Sequence, residues 1–376
     1  MPIPDQPAET SSVGETIGVE EEFHVLDPGS GRLTAVDAHA LAGLGGEPVA
    51  EPELQRTVVE TATAVCRTLD ELRVDLARRR STLRAAVAEL GLDVVASGTV
   101  PDAGARVVAV YPADRYRYLA EEYQQVAREQ IVCACQVQVG VPDRELAIAV
   151  ADRVRVWLPA LLAMSVSSPF FGNRDTGYGS YRTMLLSRWP TAGPPARFGS
   201  AAEYDRVVDA LIRTGTISDP GMVYFDIRPS ARYPTVEIRV ADACPLLDDV
   251  LLLAALGRAL VRTAAAEAAA GAPVPDVRPE LLRAATWRAA RSGLDATLID
   301  PTRAAALPAA ELIDRLVGYV RPALAAAGEQ DAVADLLAAA RRRGTAAARQ
   351  RAALARHGDL RDVVRLLIEE TGADLG

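Results

Sequence analysis

A chain of 376 residues can bury a large core, as one domain or as two to three smaller ones. Its 24% charged and 49% hydrophobic residues give the balance of a soluble globular protein, and a net charge of −9 argues against nucleic acid as the main partner, because phosphate binding needs a basic surface. Cys66, Cys133, Cys135 and Cys244 do not make a dense disulfide framework, which points to a reducing cytoplasm; no signal-peptide pattern and no apolar run long enough to span a bilayer is seen.

Residues 1–14, polar with Pro and Ser, read as a disordered lead-in, and 15–376 as a single domain. In its first part, 15–244, strands are predicted at 16–26, 33–36, 56–63, 93–99, 131–141, 222–229 and 234–241, with helices at 68–90, 114–128, 143–166 and 200–213. The second part, 245–376, reads as helical throughout: 246–271, 278–291, 308–326, 328–343, 344–356 and 359–371, punctuated by Gly and Pro. This order is not a regular βαβ alternation. It predicts an α+β fold with a mostly antiparallel sheet and helices packed around it.

The first strand carries three consecutive acids, Glu20, Glu21 and Glu22, inside an apolar run. Alternate strand residues share a face, so Glu20, Glu22 and His24 point one way and Val19, Glu21, Phe23 and Val25 the other. Glu21 is expected to enter an ion pair. Glu20 and Glu22 stand about 6–7 Å apart, close enough to share a metal ion or hold two neighbouring ones. Glu60 lies mid-strand, with Glu53 seven residues earlier; Asp226 and Arg228 share one face, as do Glu237 and Arg239. If these strands belong to one sheet, one of its surfaces gathers carboxylates and arginines. Like charges at that density call for divalent cations, and an oxygen-only donor set suits Mg²⁺ or Mn²⁺. Arginines beside Mg²⁺ suit phosphate and carboxylate groups, so a nucleotide site on a sheet is expected. No P-loop motif is present, and the serines and histidines lack the setting of a hydrolase triad. Cys133 and Cys135 read as buried core thiols, with Gln136 and Gln138 on the opposite strand face. The glycine-rich loop 175–182, with Tyr178, Tyr181 and Arg182, is a candidate for gripping substrate.

Five stretches, Thr16–Phe23, Val59–Cys66, Asp175–Arg182, Arg188–Pro195 and Thr235–Arg239, with Gly344–Arg351 near the C-terminus, resemble in the same order the bacterial carboxylate–amine ligases related to glutamate–cysteine ligase type 2. The resemblance covers roughly residues 15–370. It implies a glutamine-synthetase-like curved sheet with ATP and Mg²⁺ on one face, and amide formation through an acyl phosphate. Glutamate or another amino acid would donate the carboxylate, with a different amine as acceptor. By that resemblance Glu20, Glu22, Glu53, Glu60 and Glu237 would hold the metals. Arg228 and Arg239 would neutralise the transferring phosphoryl group or the substrate carboxylate, Asp226, Gln136 and Gln138 would face the cofactor, and a homodimer or larger assembly is expected. Where relatives usually carry histidines, this chain has Gln136, Gln138 and Val100. A catalytically degenerate ATP- or amino-acid-binding protein and a guanidino phosphotransferase are the alternatives.

Overall fold

The computed structural model describes residues 13–41, 49–104, 109–373 and 375. Most of the expected lead-in, residues 1–12, lies outside the described residues; Gly14 is tied in place, its N–H donating to the Gly140 carbonyl at 2.8 Å. The strands are β1 (Ile17–Leu26), β2 (Glu51–Pro52), β3 (Val58–Ala62), β4 (Asp93–Val95), β5 (Ala134–Gly140), the short hairpin β6 (Phe170–Phe171) and β7 (Arg174–Asp175), β8 (Ile227–Pro229), β9 (Thr235–Asp242), and the hairpin β10 (Thr297–Asp300) and β11 (Ala305–Pro308). Seven of them form one antiparallel sheet in the order β2-β3-β1-β5-β9-β8, with β4 pairing to the end of β1. The helices are α1 (Leu69–Ala88), α2 (Asp114–Tyr123), α3 (Gln125–Arg128), α4 (Arg144–Val154), α5 (Leu158–Ser165), α6 (Tyr181–Leu186), α7 (Ala201–Arg213), α8 (Leu247–Ala269), α9 (Pro279–Ser292), α10 (Ala309–Ala327), α11 (Gln330–Arg343), α12 (Ala346–His357) and α13 (Leu360–Thr371). The α+β reading with an antiparallel sheet holds. Among the described residues, no helix is long and apolar enough to cross a membrane.

The sheet has two chemically different faces because its strands alternate. Ile17 and Val19 of β1, Val137 and Val139 of β5, and Val236 and Ile238 of β9 are buried in the main core against α1, α4, α5, α8 and α10. Helix α8 is apolar on nearly every side, as expected of a helix covered all round. Its Gly257 lies so close to the sheet that a Cβ there would stand 3.1 Å from Ile238 Cδ1. Helix α1 starts at a capping box, Thr68 Oγ1 accepting from Glu71 N while the Glu71 carboxylate accepts from Thr68 N. It then lays Leu72 and Leu76 on the main core and Leu83 and Val87 on a smaller one with Phe23 and Val25.

Several predicted elements change for local reasons. The helix expected over 143–166 is two helices, since Pro159 has no N–H to continue the ladder and serves instead in the first turn of α5. The helix over 114–128 breaks at Gln124, where φ is +50°. The strand over 93–99 stops at Val95 because Ser97 and Gly98 bond to Ser167, through Ser97 Oγ to its carbonyl at 2.5 Å and Gly98 N to its Oγ at 2.8 Å. At 33–36 only a single bridge, Leu33 to Leu26, forms. At 222–229 a short 3₁₀ turn, Pro220–Met222, capped by Asp219, delays the strand to Ile227. Helix α6 and the β10–β11 hairpin were not anticipated by the hydrophobic pattern.

Candidate active site

Register brings the acids together across five strands. Glu22 of β1 stands opposite Glu60 of β3, and Glu20 opposite Gln136 of β5. Gln138 stands opposite Glu237 of β9, and Glu237 opposite Arg228 of β8. Between Cys135 and Val137 the β5–β9 register shifts, so Arg239 and Val240 together face Gln136. Alternation keeps Arg239 beside Glu237 on the polar face and Val240 in the core, and the bulge then turns Ala241, opposite Cys135, into the core as well. The expectation that Glu20, Glu22, Glu60, Glu237, Arg228 and Arg239 share one surface is met.

Their contacts divide the row into two halves. On the arginine side, Glu237 is paired with Arg228, at 3.0 Å to Nε, and with Arg239. Burial alone would raise its carboxyl, but Arg239 and Arg228 hold it below the ordinary range. Arg228 also donates to the carbonyls of Val223 at 2.6 Å and Gly221 at 3.1 Å. On the acid side, Glu22 accepts from Ala134 N at 2.7 Å and Gln136 Nε2 at 3.2 Å, and Glu20 accepts from Gln138 Nε2 at 3.2 Å. Each glutamine amide is held at its oxygen too: Gln136 accepts from Arg239, and Gln138 accepts from Thr235 Oγ1 at 2.6 Å. Burial and the neighbouring Glu53 push Glu22 up to about 7. Burial, then Glu53, Glu20 and Glu22, push Glu60 well up, and burial and Glu237 raise Glu20. These are acids lacking enough positive charge. Among the described residues, no three acids, histidines or cysteines converge into a ready metal cage. Mg²⁺ does not ask for one, since it binds through one or two carboxylates plus substrate phosphates and water. The all-oxygen donors at Glu20, Glu22, Glu53 and Glu60 fit that ion. Glu237 is placed differently from them, its two oxygens being taken by arginines.

Other candidates fall around this row. Arg182, at the start of α6, is buried and donates to the carbonyls of Val240 at 3.3 Å and Arg239 at 3.2 Å. It stands 3.8 Å from Asp242, which accepts from Ser167 N, Ser168 Oγ and Ser180 Oγ. Tyr178 and Tyr181 sit elsewhere. Tyr178 accepts from Trp287 Nε1 at 3.3 Å beneath the Arg291 guanidinium, and Tyr181 packs on Phe171. Val100 lies in an apolar cluster with Leu26, Val95 and Phe170. His24, on the face of Glu20 and Glu22, is fully buried, and that burial pushes its imidazole down to about 4. Cys133 and Cys135 are buried and free, as expected.

Sequence reasoning missed two tyrosines. Burial, Glu53 and Glu60 raise the Tyr116 phenol, and its hydroxyl donates to Pro52 O at 2.8 Å. Burial raises Tyr224 while Arg115 and Arg239 oppose. Both belong to an aromatic cluster with Trp189 and Tyr204 beside the acid row. Tyr116 lies on a helix, where no strand alternation marks it, and Tyr224 precedes β8, in a stretch whose alternation drew notice only for Asp226 and Arg228.

Asp226, expected near the cofactor, is buried, and its Oδ2 has no hydrogen-bond partner. Burial pushes its carboxyl up to about 7 against the pull of Arg182 and Arg239. A raised carboxyl favours the fold fully below its unfolded value, about 3.9, and that contribution is lost as pH rises toward 7. Asp226→Asn does not titrate. Its stability advantage over the parent is therefore expected to widen by about 1–3 kcal/mol between about pH 5 and pH 8, with most of the change below 7. Urea unfolding at several pH values measures it; a constant gap would show that Asp226 does not titrate in that window.

The sequence model of glutamate-cysteine ligase family 2 matches residues 16–366. A Frankia alni relative, provisionally named glutamate–cysteine ligase 2-2, is 49% identical over 373 residues, covering 95% of this chain and 97% of its own. A Frankia casuarinae relative with the same provisional name is 49% identical over 355 residues, 94% of this chain, yet the chain spans only 41% of that relative's length. Among solved structures, a bifunctional glutathione synthetase from Pasteurella multocida superposes with a TM-score of 0.72 at 14% identity, covering 96% of this chain and 52% of that one. A glutamate–cysteine ligase from Francisella tularensis, solved in complex with AMP, gives 0.69 at 12% identity, over 97% of this chain and 90% of its own. At such identities these two share the fold. The family match over most of the chain, together with relatives at nearly half identity, shows that the chain belongs to glutamate–cysteine ligase family 2.

Proposed function

We propose that the polar face of the sheet is the active site of an ATP-dependent carboxylate–amine ligase. The observation that carries this reading is the row itself: acids short of positive charge at Glu20, Glu22 and Glu60, next to buried arginines anchored on Glu237. In this reading Glu20, Glu22, Glu53 and Glu60 hold Mg²⁺ with the ATP phosphates. The bound metal supplies charge neutralisation at the transferring phosphoryl group. Glu237 fixes Arg228 and Arg239, and Arg239 faces the charge that develops on the γ-phosphate as a substrate carboxylate attacks it. Displacement of phosphate from the resulting acyl phosphate by an amine gives the amide. Gln136 and Gln138 act as neutral spacers: each keeps an acid in place by donating to it, and neither can titrate. An ATP-consuming reaction of this kind belongs in the cytoplasm.

The test is ADP release. Purified protein with ATP and Mg²⁺ is expected to release ADP only when a carboxylate-bearing amino acid and an amine are both present. Tight ATP–Mg²⁺ binding without ADP release, across a screen of paired amino acids, would replace the ligase by a binding protein. That reading is the one favoured by Gln136 and Gln138, neutral amides that stand among the acids and cannot titrate.

A further inference from the structure

The acid row accounts for metal, nucleotide and phosphoryl transfer, and leaves Asp226 without a task. Its relative exposure is 6%, and Oδ2 is unpartnered. Its backbone is fixed on both sides, with N–H donating to Gly193 O at 2.9 Å and the carbonyl accepting from Arg239 N at 2.9 Å. Gly193 has φ +105° and nothing within 4 Å of where a Cβ would stand, so open space adjoins the segment that carries the carboxylate. Asp226 is bonded through its carbonyl to Arg239 N, and Arg182 donates to the Arg239 carbonyl at 3.2 Å, which puts Asp226 beside the arginine end of the row. Arg182 has its own buried, unpartnered atom, Nε. A buried carboxylate and a buried guanidinium, each with one unmet hydrogen bond, match a ligand that has both an ammonium and a carboxylate.

Resting on the ligase reading above, we propose that Asp226 is the acceptor subsite: its carboxylate receives the ammonium of an α-amino acid and takes the proton that makes it a nucleophile, while Arg182 faces that acceptor's carboxylate. The atoms balance. One ammonium proton passes to the Asp226 carboxylate, and the nitrogen lone pair forms the C–N bond at the acyl carbon. The C–O bond to phosphate breaks, the second nitrogen proton leaves with the phosphate, and Asp226 returns its proton to solvent. A carboxyl lifted by burial, with Arg182 of α6 and Arg239 of β9 as its charged neighbours and Glu22 and Asp242 facing those arginines, suits a base working near neutrality.

Hydroxylamine separates this role from the earlier step, because it is largely unprotonated at neutral pH and needs no base. With ATP–Mg²⁺ and a mixture of the proteinogenic amino acids, Asp226→Asn is expected to lower ADP release about 100-fold relative to the parent chain. Added hydroxylamine is expected to restore it, giving hydroxamate at a rate within about threefold of the parent's, the loss being confined to the proton-transfer step. A variant that keeps full ADP release, or one that hydroxylamine does not rescue while its melting temperature is no lower than the parent's, overturns the proposal. If the parent chain itself makes neither ADP nor hydroxamate, the ligase reading falls separately. The subsite is then decided by thermal shift in ATP–Mg²⁺: the amino-acid mixture stabilises the parent and not Asp226→Asn if the subsite exists, and stabilises both equally, or neither, if it does not.

Discussion

Replacing Glu22 by glutamine is expected to lower ATP-dependent ADP release by about 10²–10³-fold while leaving the chain as stable as the parent, or more so. Glu22 sits where the acid row is most crowded, opposite Glu60 and within the field of Glu53. Glutamine keeps the size and still accepts from Ala134 N, the shorter of the contacts at 2.7 Å. What it removes is the charge that would hold a divalent cation against the phosphates. In the folded chain without ligands that charge is a burden, because burial and a neighbouring acid already push the carboxyl up to about 7. Activity and stability should therefore move apart, which a general folding defect would not produce. Coupled-assay ADP release and a thermal melt on the same preparation read both. Full turnover in Glu22→Gln would remove Glu22 from the metal set and, with it, the main support for this face as the active site.

The alternation of strand residues announced which side chains share a face, and little more. It separated Glu20 and Glu22 from Glu21, and it assigned Gln136 and Gln138 to the face opposite Cys133 and Cys135. A period of two cannot say which strand lies beside which. The opposition of Glu22 to Glu60, or of Glu237 to Arg228, depends on a strand order set by turns and by the packing of α8 beneath the sheet. The bulge at Arg239 is equally silent in sequence, since it breaks the alternation that makes strands readable. Glu237 and Glu22 look alike as mid-strand acids. Only the guanidiniums arriving from β8 and from two residues along β9 show that one is neutralised and the other is not. Tyr178 and Tyr181 drew notice as polar loop residues, yet they pack against Trp287 and Phe171, while Arg182 beside them turns into the sheet edge. Val100 shows the opposite case. A residue that the family resemblance set beside the site has joined the apolar core with Leu26, Val95 and Phe170.

Glu21, one residue from Glu22, is expected to give the reverse result. Its carboxylate points into the core and meets Arg80 of α1 at 2.5 and 3.1 Å, with both side chains almost wholly inaccessible. Arg80 also donates to Pro245 O at 2.6 Å and Cys244 O at 2.8 Å, and its guanidinium lies 5.7 Å from the Phe23 ring centroid. One side chain thus joins α1, the acid-bearing strand and the lead into α8. Removing either partner strands a buried charge, and Arg80→Ala or Glu21→Ala should each lower the unfolding free energy by about 3–5 kcal/mol. Replacing both with Met should recover part of the loss, because no lone charge then remains. It should not recover all of it, since two buried carbonyls lose their donor at about 1–3 kcal/mol each. Denaturant unfolding of the single and double variants measures the cycle, and a cost below about 1 kcal/mol for Arg80→Ala would show that the pair is solvated in solution. Turnover per folded molecule should stay near the parent's in Glu21→Ala, because Glu20 and Glu22 remain on the opposite face. Two adjacent carboxylates then separate cleanly: the loss of one slows the chemistry on a stable sheet, and the loss of the other weakens the sheet that positions the chemistry.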